Sequence, residues 1–478
     1  MTMSHFSSAA LLNLHARIHK TSHTTALTLI VAAVTAIVVC LSMSLGIEPG
    51  WALAGAVAML AALVIMRKWP LALVVGLLFV GSFKSTPAQG ISLTDPTLIT
   101  LLLVSGAILI ELLLVVSGSS AYSLQELCTG QSLGIICFVF FAATLAMSYL
   151  YTAAPAYGGE KLLHFVVFQT IVFFAPLIML RNEKDLDQLL LAFLLLGLAL
   201  ASKEIYGILH PTNEILSGNQ DITHIGSAQL IGMSLLLCVY AKPFRRFLRM
   251  LVLPILGIGL VACAARGPLL SLLTVMIFYS VMTRNSTGVG RYKKIAALSL
   301  VVIVVTGALV WMEQYPAAQE KIVEKQQELE SLVSGSGDPG GTTEQRLDFY
   351  RSALSDFSTE PLLGVGLGGW PVSYYGSEKP GYPHNIVLEV AAEQGIVGLA
   401  ALFAFIAAVW LAARRIWQQR PELAFSIPLY IYSLLVSMFS GDINLRALWF
   451  WAGTIFAISR MCFSRASENG KHPVFQPA

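Results

Sequence analysis

The residues best suited to chemistry lie where a polar segment meets an apolar one. Tyr382, Pro383, His384 and Asn385 directly precede an apolar run that begins at Ile386. An imidazole near a helix N-terminus is kept neutral because the helix dipole disfavours positive charge there. A neutral imidazole can accept a proton, so His384 is a candidate general base. The alternative is an ordinary capping or interfacial histidine.

Two arginines could bind an anion near that histidine. Arg266 stands between two apolar runs, with Gly267 and Pro268 at the turn. A charge at membrane depth is costly and usually has a partner or a function. Arg346 lies on a predicted helix, and guanidinium groups bind phosphates through paired hydrogen bonds, so the two arginines would suit a diphosphate. The alternatives are a snorkelling arginine at 266 and a solvated surface arginine at 346.

Aromatic and acidic residues surround these groups in the sequence. Tyr350, Trp370 and Tyr382 are candidates for stacking on a sugar ring, or for an aromatic belt at the membrane surface. Glu389 and Glu393 lie one helical turn apart. They could orient the imidazole, bind a cation, or be satisfied by neighbouring polar groups. The acids and histidines form no metal-binding pattern, so we predict neither a metal site nor a cofactor.

A glycine-rich run at residues 364–369 follows the helix that Pro361 is expected to end. It resembles a nucleotide-binding loop only in composition, because such a loop follows a strand. We reject that interpretation and expect the glycines to let the backbone turn tightly over a substrate.

The elements that position these residues are predicted from hydrophobicity. The chain is 56% hydrophobic and 12% charged, and apolar runs of membrane-spanning length recur throughout. A net charge of +3 is too small to indicate nucleic-acid binding. We therefore predict an all-α polytopic integral membrane protein with about fourteen transmembrane helices. Their ranges are 24–45, 51–66, 69–83, 97–116, 132–149, 163–180, 189–209, 225–241, 248–265, 269–282, 295–311, 386–413, 423–439 and 447–461.

Basic residues predict the orientation of these spans. They concentrate in one set of loops, whereas the opposite short loops carry only Lys84, Lys161, Arg266 and Arg446. The positive-inside rule then places both termini in the cytoplasm and residues 312–383 outside.

The outer segment is predicted to contain short helices. One covers 320–333, and a flexible link follows at 334–341. A second helix begins at a capping box formed by Thr342 and Gln345. Its apolar stripe is Leu347, Tyr350, Leu354 and Phe357, to one side of Arg346.

These residues together resemble the bacterial O-antigen ligase and polymerase family, in the class C glycosyltransferase fold group. Three short segments carry the resemblance, at 264–267, at 344–366 and at 384–399. They contain Ala265-Arg266-Gly267, then Gln345-Arg346 with Pro361-Leu362-Leu363-Gly364-Val365-Gly366, then His384-Asn385 with Glu393-Gln394-Gly395. The chain departs from the family at Ala265, where a serine is frequent. The outer loop before Ile225 also lacks an arginine.

The resemblance covers about residues 251–412, which gives a three-part organisation. Residues 1–250 are N-terminal transmembrane helices, 251–412 are the ligase-like region, and 413–478 are C-terminal helices and a cytoplasmic tail. The resemblance implies a metal-independent, inverting transfer of glycan at the periplasmic face of the bacterial inner membrane. The donor would be an undecaprenyl-diphosphate-linked glycan and the acceptor a hydroxyl of a glycan or lipid, with no nucleic acid as partner. His384 would be catalytic, Arg266 and Arg346 would bind the diphosphate, and Tyr350, Trp370 and Tyr382 would contact glycan.

The acceptor distinguishes the members of this family. We favour a surface polysaccharide polymerase, because about fourteen spans exceed what a compact ligase needs. The alternatives are a ligase that transfers to lipid A core and a protein O-oligosaccharyltransferase. A transporter of lipid-linked glycans or solutes is an alternative of another class, since Lys203, Glu204 and Glu389 lie in apolar spans. The sequence shows no repeat or paired broken helices, which transporters usually have.

Overall fold

The computed structural model describes residues 64–83, 95–118, 131–209, 220–241, 246–263, 265–282 and 342–468. The described residues 64–69 belong to one unit of the chain, and the described residues from Pro70 onward belong to a second. The second unit contains all of the candidate residues. Its described residues are helical and include no strand, as the sequence predicts.

The helices of the second unit follow one another closely along the chain. They are α1 Pro70–Phe79, α2 Pro96–Val116, α3 Ser132–Tyr149, α4 Pro155–His164, α5 Thr170–Met179, α6 Glu183–Leu209, α7 Gln220–Tyr240, α8 Arg246–Ala262, α9 Arg266–Met282, α10 Thr342–Thr359, α11 Trp370–Tyr375, α12 Ile386–Gln419, α13 Ser426–Phe439 and α14 Arg446–Glu468. A π-helical turn, Phe165–Gln169, joins α4 to α5.

Several of these helices can cross a membrane, which makes this a membrane protein. Within the described ranges, six helical segments are long and apolar enough: Pro96–Val116, Ser132–Tyr149, Pro155–Met179, Glu183–Gly207, Ile386–Gln419 and Pro421–Phe439. Four shorter apolar helices lie at Pro70–Ser82, His224–Tyr240, Leu251–Ala262 and Arg266–Ser280. The predicted spans 24–45 and 295–311, most of 51–66, the helix at 320–333 and the link at 334–341 lie outside the described residues. The total of about fourteen spans therefore stays a prediction.

Local sequence explains where helices near the site begin. Asn385 has extended backbone angles and caps α12, because its Oδ1 accepts hydrogen bonds from Val387 N at 3.0 Å and Leu388 N at 3.1 Å. Asparagine is among the preferred N-cap residues for this reason. Helix α10 begins at Thr342, the residue predicted to start it.

An aromatic core fixes the helices below the site. The Trp449 ring of α14 lies 5.5 Å from Phe141 of α3, 5.1 Å from Phe165 and 5.1 Å from Phe405 of α12. All four side chains are almost fully buried. Close contacts of this kind hold α12 and α14 in a fixed relation to α3.

Contacts between loops agree with the predicted sides of the membrane. Arg420 donates to Glu183 Oε1 at 2.7 Å, and the charge pattern places both loops on the same side. At the other end of α12, Ile443 N donates to Glu389 Oε2 at 2.9 Å. Residues 384 and 443 are both predicted to lie near the opposite surface.

Candidate functional site

The two candidate arginines come from separate helices that meet at the end of α13. Arg346 of α10 donates from a guanidinium nitrogen to Phe439 O at 3.1 Å. Gly267, the second residue of α9, packs against Ser440, the residue that follows Phe439. A Cβ added at Gly267 would lie 2.3 Å from Ser440 Oγ. Arg266 is the first residue of α9 and its side chain is exposed. The end of α13 therefore brings the starts of α9 and α10 to one site.

His384 is held between two aromatic rings. Its ring stacks on Phe349 of α10 with centroids 6.0 Å apart, and it lies 4.5 Å from the ring of Tyr382. Its backbone φ is 56°, in the left-handed region that few non-glycine residues adopt. Such a conformation persists only where the surroundings hold it, and it is frequent at functional sites.

Burial and Arg346 keep the His384 imidazole neutral. Desolvation is the larger cause, the nearby guanidinium is the second, and together they lower the pKa of His384 to about 4. The sequence predicted a neutral ring from the helix dipole, whereas the structure attributes neutrality to burial and a neighbouring charge. The Nδ1 atom is buried and has no hydrogen-bond partner within the described part of the chain.

Helix α10 turns a different face to the core from the one predicted. Leu347 and Leu354 of the predicted stripe are 48% and 52% exposed, while Phe349 is buried and Ala353 fully so. The helix lies on the surface of the bundle, where Phe349 and Ala353 are its buried apolar residues and Tyr350 packs against them in part. The apolar periodicity therefore identified the helix but not its buried side.

The aromatic residues proposed to contact glycan differ in exposure. Trp370 is fully buried and packs against Phe349 and Tyr374, so its ring has no face left for a sugar. Tyr350 and Tyr382 are only partly buried. Burial raises the pKa of Tyr382, so its hydroxyl keeps its proton and can donate a hydrogen bond.

The glycine-rich turn occupies a break in α12. At Gly395 the backbone is non-helical, with φ 61° and ψ −154°, so the N-terminal part of α12, residues 386–394, forms a half-helix. Across the break, Val365 N donates to Ala392 O at 2.8 Å and Gly366 N to Glu393 O at 3.1 Å. Ile396 N donates in turn to Pro361 O at 2.8 Å. The turn thus supplies partners for backbone groups that the broken helix leaves free.

Only glycine fits on either side of this junction. A Cβ at Gly364 would lie 2.5 Å from Gln394 N, and one at Gly395 would lie 2.5 Å from Leu362 O. Both residues also have positive φ angles, 69° and 61°. The expectation that the glycines turn over a substrate was wrong for Gly364, because it packs against the protein's own backbone.

A buried ion cluster lies one to two turns below His384. Lys161 of α4 has its Nζ 2.6 Å from Glu389 Oε1 and 2.7 Å from Glu393 Oε2. The three side chains are 2%, 0% and 0% exposed. Of the alternatives open for Glu389 and Glu393, the structure favours satisfaction by a neighbouring group. Lys161 was missed as their partner, although it is one of few basic residues in the predicted outer loops.

The polar residues that had raised the transporter alternative have partners within the protein. Lys203 Nζ donates to Ser82 O at 2.8 Å, and Glu204 Oε2 lies 2.7 Å from His224 Nδ1. Glu389 bonds to Lys161. Broken helices are typical of transporters, but the break in α12 is filled by the Pro361–Gly366 turn.

A family comparison covers the part of the chain that carries the site. Residues 250–403 match the O-antigen ligase family. The match confirms the resemblance and includes Arg266, Arg346 and His384, although it spans about a third of the chain. No curated protein matches the chain significantly. The family match supports a role in glycan transfer of the O-antigen ligase and polymerase type, carried out in a membrane.

Proposed function

We propose that this protein transfers a glycan from a lipid-diphosphate carrier to an acceptor hydroxyl at the outer face of the bacterial inner membrane. The observation that carries the proposal is the pairing of a neutral imidazole, His384, with the guanidinium of Arg346 in one half-buried site. The first group can take a proton and the second can bind an anion. Those are the two tasks of glycosyl transfer from a diphosphate.

The reaction makes one bond and breaks one. The acceptor oxygen attacks the anomeric carbon while its proton passes to His384, and the bond from that carbon to the diphosphate oxygen breaks. The electron pair of that bond remains on the leaving diphosphate, where charge accumulates. Arg346, together with Arg266, neutralises that charge in the transition state. Attack from the side opposite the diphosphate inverts the anomeric configuration.

Donor binding strengthens the base. In the free protein the Arg346 charge helps to hold the pKa of His384 at about 4. A bound diphosphate neutralises the guanidinium and adds negative charge nearby, and both changes favour the protonated imidazole. His384 thereby becomes a better proton acceptor only when the donor is in place.

Exposed apolar residues give a lipid-linked donor access to the site. Leu362 and Leu363 are 67% and 50% exposed beside the break in α12, and Ile396 after the break is 54% exposed. Leu347 and Leu354 of α10 are also exposed, at 48% and 52%. A prenyl chain in the bilayer can lie against these side chains while its diphosphate reaches Arg346. The arrangement fits a substrate that stays in the membrane.

The proposal is tested with purified protein in liposomes that contain a lipid-diphosphate glycan and a soluble or lipid acceptor. The expected products are a glycosylated acceptor and free polyprenyl diphosphate in equal amounts. Movement of the intact labelled donor across the bilayer, with no covalent change, would contradict the proposal and support transport.

The acceptor is proposed to be a second lipid-linked glycan, which makes the protein a surface polysaccharide polymerase. The predicted number of spans supports this choice over a ligase. Analysis of product length separates the two, because a polymerase extends its acceptor repeatedly. A single addition to lipid A core, or transfer to a protein hydroxyl, would assign ligase or O-oligosaccharyltransferase activity instead.

A further inference from the structure

Helix α4 contacts the His384 loop on both sides of the histidine. Before the histidine, Tyr157 N donates to Glu378 Oε1 at 2.7 Å, and Tyr157 OH donates to Gly381 O at 3.1 Å. After it, Lys161 bonds to Glu389 and Glu393 of the half-helix. Residues 155–164 lie outside the family-matched segment. A helix from the N-terminal half of the chain therefore brackets the candidate base.

The half-helix needs such an anchor because it is not continuous with the rest of α12. The break at Gly395 interrupts the helical backbone between residues 386–394 and the long apolar segment that follows. The Pro361–Gly366 turn fixes its C-terminal end by backbone hydrogen bonds. Closer to His384, the side chain of Glu389 is held by Lys161 through one oxygen and by Ile443 N through the other.

The ion cluster is linked through Glu389 to the helix cap next to His384. The ammonium of Lys161 has three N–H donors; it donates to both carboxylate oxygens of Glu393 and forms an ion pair with Glu389 Oε1 at 2.6 Å. Glu389 N in turn donates to Asn385 O at 2.9 Å, and Asn385 is the cap residue next to His384. A buried ammonium that lost these acceptors would be unpaired in an apolar setting, so the three groups stay together.

We propose that Lys161 is a positioning residue that fixes the half-helix and thereby the orientation of the His384 imidazole. The inference rests on the proposed role of His384 as the base. Lys161 itself contacts neither donor nor acceptor. Its loss should therefore slow the chemical step without weakening donor binding, which depends on the arginines.

Lys161→Met tests this inference in the full-length protein. We expect kcat to fall about tenfold or more, because small displacements of a catalytic group cost rate steeply, while KM for the donor changes by less than about twofold. Lys161→Arg, which keeps the charge, should recover part of kcat. Lys203→Met is the matched control, since it removes a lysine elsewhere in the protein that donates to Ser82 O and should leave kcat unchanged.

A second readout does not depend on glycan transfer. Diethylpyrocarbonate modifies neutral imidazoles, and mass spectrometry of His384 measures its reactivity. In Lys161→Met the modification rate of His384 should rise several-fold, and in Lys203→Met it should not. If Lys161→Met fails to fold, Glu393→Gln removes one of the two carboxylates and should change His384 reactivity and kcat in the same directions. Wild-type kcat and wild-type His384 reactivity in a folded variant would overturn the inference, whereas altered reactivity in a protein without transferase activity would count against the proposed function alone.

Discussion

The guanidinium of Arg346 lowers the pKa of the His384 imidazole. The two residues are 38 positions apart in sequence, on α10 and just before α12, yet they share one site because Phe349 of α10 stacks on the histidine. In the proposed mechanism, the guanidinium that binds the donor also adds to the effect of burial in disfavouring protonation of the base before the donor binds.

The pH dependence of kcat/KM should report this relationship. His384 accepts a proton only when neutral, so activity should fall as the pH drops below its pKa, about 4 in the free protein. Arg346→Gln removes the nearby positive charge and should move this acid limb to higher pH. Burial is the larger cause of the lowered pKa, so it should still hold the pKa of His384 below the ordinary histidine value of about 6.5. Arg351→Gln is the control because Arg351 pairs with Asp348 on the surface. An acid limb at the same pH in the wild type and Arg346→Gln would contradict the coupling.

Several features near the site were accessible from the sequence because they are local. The start of α12 and the cap at Asn385 follow from an asparagine before an apolar run, and the order of Arg266, Arg346 and His384 produced the family resemblance. The pairing of Lys161 with Glu389 was not accessible, because it joins residues that no periodicity relates. The role of Gly364 was also missed. Position 364 requires glycine because the backbone of α12 lies against it, and that contact exists only in the folded chain.

The junction between the glycine turn and α12 should be sensitive to a single methyl group. Gly364→Ala places a Cβ 2.5 Å from backbone atoms and also forces a positive φ, so we expect a loss of about 3 kcal/mol or more in stability. Gly376→Ala has a similar φ of 70° but open space around it, and should cost only about 1–2 kcal/mol. Thermal unfolding in detergent compares the two. Equal losses would show that backbone strain alone accounts for the effect.

Trp370 should matter for stability rather than for glycan affinity. Trp370→Ala removes a fully buried ring from the contact between α10 and α11, and we expect a destabilisation of about 3–5 kcal/mol. Leu354→Ala, at an exposed position of α10, should change stability by less than about 0.5 kcal/mol. Unfolding curves of both variants provide the comparison. A stable Trp370→Ala protein with a raised KM for glycan acceptor would restore the tryptophan as a sugar contact.

Removal of divalent cations should leave glycan transfer intact. Guanidinium groups carry the charge neutralisation in this mechanism, so a chelator should change the rate by less than about twofold. Arg346→Lys keeps the charge but loses the paired geometry, and should lower kcat/KM by about tenfold or more. Loss of activity in the presence of the chelator, with recovery when magnesium is added, would contradict this prediction.

The most direct measurement of the central claim is the single-turnover rate of glycan transfer by His384→Asn. Asparagine tolerates the left-handed backbone at this position, so the variant should fold with a thermal stability close to that of the wild type. With saturating lipid-diphosphate donor, the account predicts a rate about 100-fold or more below that of the wild type, with donor affinity retained. A folded His384→Asn protein that transfers glycan at the wild-type rate would contradict it.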